Sequence, residues 1–371
     1  MGTIRSRSTH PTLRHKLETS VNTDILGLPV EIGLIEKELG KLWEESAGVK
    51  TRASLINLVL YTESAKQIES DTHLIAEIAS KHALRAIAVF ANPSASESNA
   101  RAWINAHCHT LDQGKLQICS EQITFQLEGT AVNSLTSVVF SHLDSDLPFC
   151  FWWQTEFPAK IDVDLWRLVD RLIFDSCTWK EPKTQSKSIQ EIAASAAHRI
   201  VLCDLSWARL LHARFAISSL FDTPTALPYL RIITQIEIHH APGFRTAGLL
   251  LLGWIATQLK WTLQCSDSSH FFLSSDGKHI AFRLEEKDGP LISHCHLAVQ
   301  TENVSFRIRR PEGSEFYQVK TEGPGLPSAE HLIAAGKESV SDILIEELGR
   351  SGKHPLYCKA LNLVLPLLSP S

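Results

Sequence analysis

The stretch that most constrains this chain runs from Leu147 to Ser176, LPFCFWWQTEFPAKIDVDLWRLVDRLIFDS. No residue from Leu147 to Trp153 is charged. Strand alternation sends Phe149, Phe151 and Trp153 one way and Pro148, Cys150 and Trp152 the other. A strand apolar on both faces belongs inside a sheet covered on both sides, which favours a parallel α/β sheet. Pro148 has no N–H to give a ladder, so it marks the strand's start. Leu165, Trp166, Leu168 and Val169 then space out as a short amphipathic helix. Arg171 to Phe174 reads as a second buried strand, stopped by Asp175-Ser176. If the two strands are parallel, their C-terminal ends place Trp152 and Trp153 beside Asp175 and Ser176, at the edge where open α/β sheets present their sites. Phe149 and Phe151 read as core. Trp152 and Trp153 cannot both face one layer, and core and interface stay open for them.

The rest of the first half alternates strand and helix. Residues 1–24 hold four basic groups and no acid before Glu18, the pattern of a mobile tail. Glu31 to Glu45 has helical apolar spacing. Ala53 to Tyr61 and Arg85 to Ala91 read as buried strands around a helix at 64–82. The spacing predicts a further helix over 96–108, two strands within 116–127, and a short helix at 134–143. This succession argues for a doubly wound, mostly parallel sheet over residues 28–180. The polar run at 180–188 is the candidate linker. Past it, 189–371 reads as an α+β domain: helices at 189–198 and 246–259, then period-two strands from Trp261 to Val319 with turns at Asp276-Gly277 and Asp288-Gly289, then helices at 329–348 and 355–363. A chain of 371 residues fits two such units.

Bulk properties close off several classes. The net charge of −5 offers nothing that would attract nucleic acid or anionic lipid. No apolar leader pattern follows the start, and the most apolar run, Gly248–Ala256, is too short to span a bilayer; the expectation is a cytoplasmic protein with no membrane partner. The eight cysteines form no CxxC pair and several lie in apolar runs, so all eight are expected as free thiols.

Motifs that carry chemistry are absent or incomplete. There is no Walker loop, no GxGxxG and no GxSxG, so neither a nucleotide cofactor nor a serine nucleophile is expected. His294 and His296 share one face of a predicted strand, and His239-His240 is a source for a third metal ligand. Solvent-facing histidines are the preferred reading, and no metal is expected. Cys177 follows the Asp175-Ser176 strand end with no base in view. The polar groups Asp170, Arg171, Asp175, Ser176, Asp204 and Arg209 fit either caps and ion pairs or interface contacts. Asp204 is a natural N-cap for a helix whose inward stripe runs through Trp207, Leu210, Leu211 and Phe215. Arg209, roughly 200° around that helix from Trp207, is expected to point outward as a contact residue.

Four segments also resemble one family: LPFCFWWQTEFP (147–158), LVDRLIFDS (168–176), VLCDLSWARLLHARFAISSLFD (201–222) and AGLLLLGWIATQLKW (247–261). In this order they are similar to the glucose-6-phosphate dehydrogenase assembly protein family (OpcA). The resemblance implies an N-terminal α/β domain joined to a C-terminal α+β domain. It also implies a non-catalytic partner that binds glucose-6-phosphate dehydrogenase, aids its assembly and raises its activity in the oxidative pentose phosphate pathway. The matching positions include Trp152, Trp153, Asp170, Arg171, Asp175, Ser176, Asp204, Trp207, Arg209, Gly253 and Trp254. The alternative is a sugar-phosphate enzyme or sensor using the strand-end cleft near Trp153 and Asp175. A basic pocket there would favour it; a broad apolar surface with a polar rim would favour the binding module.

Overall fold

The apolar strand at Phe149–Trp153 lies inside a nine-stranded sheet, with all five of its residues buried. The computed structural model describes residues 25–44, 50–110, 117–158, 162–195, 200–265, 270–326, 330–350, 352 and 354–368. The basic tail expected at 1–24 lies outside them. In chain order the first part contains β1 (Leu28–Val30), α1 (Ile35–Glu44), β2 (Lys50–Arg52), β3 (Ile56–Thr62), α2 (Gln67–Ala79), β4 (Leu84–Asn92), β5 (Asn99–Thr110), β6 (Gln117–Glu128), α3 (Leu135–Ser141), β7 (Phe149–Trp153), α4 (Val163–Leu168), β8 (Arg171–Phe174), α5 (Pro182–Ser195) and β9 (Val201–Asp204). The sheet runs β1-β5-β6-β4-β3-β7-β8-β9, with β2 beside β6. All neighbours from β6 to β9 are parallel; only β1–β5 and β5–β6 are antiparallel. From β3 the chain moves first to β4 on one side and later to β7 on the other. The topological switch point therefore lies between β3 and β7.

The predicted alternation in β7 is realised. Phe149, Phe151 and Trp153 join one core with Val59, Tyr61 and Trp166, while Cys150 and Trp152 join another with Leu58, Ile173 and Ile343. Both layers are apolar, as burial on both faces of a parallel sheet requires.

The second part holds α6 (Leu205–Arg209), α7 (Leu211–Ser219), β10 (Gln235–His240), α8 (Arg245–Gln258), β11 (Thr262–Cys265), β12 (His270–Leu273), β13 (His279–Glu286), β14 (Ile292–Val299), β15 (Val304–Arg309), β16 (Phe316–Glu322), β17 (Glu330–Ala334), α9 (Val340–Gly349) and α10 (Pro355–Val364). Its eight strands run β11-β12-β13-β10-β14-β15-β16-β17, antiparallel except for β10–β13. The chain is thus α/β with a doubly wound, mostly parallel sheet followed by a mostly antiparallel one. Helix α8, apolar almost all round, is buried along most of its length. Gly253 lets α10 come close: a Cβ there would meet Ala360 O at 2.6 Å.

Several elements differ from the sequence reading. Residues 99–110 are strand β5, paired with β6 along its whole length, and β6 is one strand rather than two. Ala102 and Ile104 face one core and Trp103 the other. Alanines at 100, 102 and 106 make that alternation look helical. Residues 330–334 are a strand laid on β16, not the start of a helix. The polar run at 180–188 lies largely in α5, and the first sheet continues beyond it through β9. The antiparallel β5–β6 register sets Cys108 opposite Cys119, and the two form a disulfide. That overturns the expectation of eight free thiols, which rested on the absence of a CxxC pair; a bridge across two paired strands leaves no such local motif. The other six cysteines are free. No helix among the described residues is long and apolar enough to cross a membrane.

Candidate functional site

Two regions gather the residues singled out in the sequence. The first is the crevice at the C-terminal ends of β3, β7 and β8. Beneath it lies an aromatic stack: Tyr61 on Trp153 at 4.1 Å between ring centres, with Phe157 and Trp166 beyond at 5.9 and 5.4 Å. The turn after β3, Glu63-Ser64-Ala65-Lys66, contains no glycine, so backbone cannot close on a pyrophosphate as a dinucleotide site requires. Glu63 instead accepts a 2.9 Å hydrogen bond from the Tyr61 hydroxyl. The cavity above holds about 350 Å³ and is lined by Asp71, Trp152, Gln154, Asp175, Leu205 and neighbours, with no basic side chain among its described walls. Gln154 donates to Asp71 across the switch point at 3.0 Å. Burial pushes the Asp71 carboxyl up to about 6, against the lowering effect of that hydrogen bond.

A buried polar knot closes the crevice from behind. Asp204 caps α6, accepting from Ser206 N at 3.0 Å. It also accepts from Ser176 through both N (3.1 Å) and Oγ (2.6 Å). Ser206 Oγ donates to Asp175 at 2.6 Å, and Arg209 pairs with Asp175 at 2.8 Å. Burial first, then the Asp175 charge, pushes Asp204 up to about 6. Burial opposes the charge on Arg209, but Asp175 outweighs it and holds its pKa above the ordinary value. Burial also pushes the Cys177 thiol up to about 12, far from a nucleophile's range.

Arg209 is therefore not the outward contact residue expected. Its side chain is 6% exposed. The expectation assumed one continuous helix from Asp204 to Phe221. The helix breaks at Leu210, between α6 and α7. That break swings Phe215 out of its predicted inward stripe, leaving it 63% exposed; Arg209 precedes the break and is buried because its face of α6 meets Asp175 rather than solvent. Trp207 stays inside, as expected.

The remaining residues divide between these regions. Asp170 accepts from Phe149 N at 2.9 Å and helps fix the start of β7. Arg171 donates to Arg350 O at 2.6 Å and to Cys203 Sγ at 3.1 Å, and lies 3.9 Å from Glu347. Cys203, Glu347 and His354 have metal-like spacing, but the Arg171 guanidinium already supplies the positive charge at that place.

The second region was not visible as a unit in the sequence. It is a groove of about 420 Å³ between α6–α7, the middle of α8 and the α9–α10 turn. Trp207, Leu211, Phe215, Trp254, Leu356 and Tyr357 form its apolar wall, Arg350 and His354 its polar rim, and Glu347, which pairs with both, is buried. Phe215 and Leu356 (38% exposed) present unpartnered apolar surface beside the half-buried Trp254. Arg214 lies over the Trp207 ring, 3.7 Å from its centre. Leu211, Phe215 and Leu356 were missed as site residues; spacing alone assigned the first two to the core.

These features describe a doubly wound sheet with no glycine in the turn after β3, followed by a mostly antiparallel sheet, and an apolar groove between α6–α7, α8 and the α9–α10 turn. Comparison with known proteins agrees with that class. Residues 75–191 match the model described as the glucose-6-phosphate dehydrogenase subunit N-terminal domain, and residues 200–361 match that of the C-terminal domain. The chain belongs to the OpcA family of glucose-6-phosphate dehydrogenase assembly proteins. Its relatives include the putative OxPP cycle protein OpcA of Nostoc punctiforme, 29% identical over 50% of this chain and 40% of that protein. The protein of that name from Synechocystis is 27% identical over 45% of this chain and 35% of its own length. The chain thus aligns with less than half the length of these relatives. Among solved structures it is similar to a glucose-6-phosphate dehydrogenase bound to glucose-6-phosphate, with TM-score 0.42, 9% identity and coverage of 85% of this chain and 92% of that one. An aldose-aldose oxidoreductase from Caulobacter crescentus gives TM-score 0.44 at 9% identity over 84% of this chain and 96% of that one. Overlap at this level does not bear on function.

Proposed function

We propose that this protein is a non-catalytic partner of glucose-6-phosphate dehydrogenase that binds the enzyme, promotes its assembly and raises its activity. The observation that carries the reading is the groove at Trp207, Phe215, Trp254 and Leu356, built on the two helical segments that carry the family pattern. Aromatic residues in an apolar centre with a charged rim are what a protein interface uses. Phe215 and Trp254 are the anchors, and Arg350 and His354 form the rim.

The switch-point crevice supports the non-catalytic half of the proposal. Its described walls offer no basic side chain to a sugar phosphate, and the Asp175 charge there is already paired with Arg209. The alternative of a sugar-phosphate enzyme or sensor at this edge finds no support in that lining. The test is co-purification with the dehydrogenase of the same organism, followed by an activity titration. A saturable rise in activity with a defined stoichiometry is expected. Dehydrogenation of glucose 6-phosphate by this chain alone, lost on mutation of Asp175, would overturn the reading.

A further inference from the structure

The open face of the second sheet carries a cluster that the proposed function does not use. Pairing places Glu285 of β13, His239 of β10 and His294 of β14 in one row across three adjacent strands. Glu237, two residues before His239, shares its face. The opposite face, with Ile236, Ile238, Cys295 and Leu297, is core. His239 Nε2 lies 2.8 Å from Glu237 Oε1 and 3.5 Å from Glu285 Oε2, and the donor atoms of these three residues all fall within 4.8 Å of one another. The rings of His239 and His294 are 4.8 Å apart between centres.

We propose that Glu237, His239, Glu285 and His294 form a binding site for a divalent transition metal, zinc in particular. Two imidazole nitrogens and two carboxylates suit zinc, whose bonds of about 2 Å put neighbouring ligand atoms about 3.3 Å apart in a tetrahedron. Among Glu237, His239 and Glu285 the separations already present bracket that value, and His294, whose ring centre lies 4.8 Å from that of His239, turns in to complete the shell. Three paired strands hold the ligands, a more rigid frame than a loop. Two cations already approach Glu285: Arg283 at one oxygen, and Lys287 at 3.1 Å from the other. Arg283 can remain as an outer partner. Lys287 is exposed and must withdraw, which costs little for a surface ion pair. Four protein ligands close the shell, so the ion would clamp β13, β10 and β14 together rather than act on a substrate.

The experiment is zinc titration of the untagged, full chain after chelator treatment, followed by calorimetry and by the visible absorption of a cobalt substitute. One equivalent of zinc is expected, with tetrahedral cobalt absorption and a melting temperature that rises with free zinc. His239→Ala and Glu237→Gln should each weaken binding on the order of 100-fold, and His294→Ala should remove the tetrahedral cobalt signature. His296→Ala, on the same face but outside the set, should change neither. Melting in chelator verifies that each variant is folded. Absence of a stoichiometric site in wild type, or zinc binding that survives both His239→Ala and Glu237→Gln, would overturn the proposal. A loss with His296→Ala equal to that with His294→Ala would overturn the ligand assignment.

Discussion

The crevice at the ends of β3 and β7 and the groove beside α7, α8 and α10 have opposite chemistry. The crevice occupies the position where open α/β sheets bind ligands, yet its described walls hold no basic side chain, its turn has no glycine, and it is backed by a closed polar knot. The groove is at no position that the fold marks out, yet it exposes Phe215 and Leu356 beside Trp254. A fold's usual site and a chain's working surface need not coincide; function is set by the groups at the site. On this account the motif residues around Asp175 and Asp204 hold the scaffold, and the groove meets the partner.

Mutations that remove packing should separate scaffold from surface most strongly. Trp207→Ala, which empties the floor of the groove, should cost about 3–5 kcal/mol of stability by denaturant unfolding. Arg209→Ala leaves Asp175 without its partner and should cost about 3 kcal/mol, the lower end for a broken buried pair. An unchanged melting temperature for Arg209→Ala would return that residue to the surface and undo the division drawn here.

The disulfide belongs to neither region. Cys108 and Cys119 close a sequence separation of 11, so Cys108→Ser should cost about 3 kcal/mol on loop-entropy grounds, with dehydrogenase activation unchanged. Thiol titration of the denatured, unreduced protein should find six free cysteines. Eight would remove the bridge, and lost activation in the folded variant would tie β5–β6 to the groove.

A smaller effect isolates the crevice. Burial raises the Asp71 carboxyl to about 6, above the ordinary 3.8, so the folded chain holds that proton more tightly. Its contribution to stability is full below about pH 4, falls as pH rises through 6 and is flat above that. Asp71→Asn should flatten this slope, by about 2 kcal/mol between pH 4 and 7. An unaltered pH profile would show that the crevice is more solvated than its walls indicate.

Much of the scaffold was legible because burial on both faces leaves a plain mark. Phe149–Trp153 and Arg245–Gln258 have no polar side to misplace, and both were read as buried elements. Elements with small or mixed residues were not. Alanines in β5 suit either period, and only pairing with β6 decides; the disulfide follows from that pairing and leaves no CxxC motif to read. The groove was hidden by one backbone feature. Counting at 100° per residue through Leu210 put Phe215 inside, and the break there reverses that; Arg209, on α6 before the break, was placed outside because spacing does not show that Asp175 covers its face. The row of Glu285, His239 and His294 likewise depends on the parallel β10–β13 pairing, which residue spacing does not reveal.

The central claim is that the groove, not the crevice, meets the dehydrogenase. Its most direct test is an activation titration with Phe215→Glu beside wild type, with both melting temperatures measured. Phe215 is exposed, so the change should alter stability by no more than about 0.5 kcal/mol. As an interface anchor it should contribute about 2 kcal/mol of binding, roughly a thirtyfold loss of affinity when replaced by a charge. The account predicts normal melting and a titration curve displaced by that factor. Superimposable titrations from two equally stable proteins would contradict it.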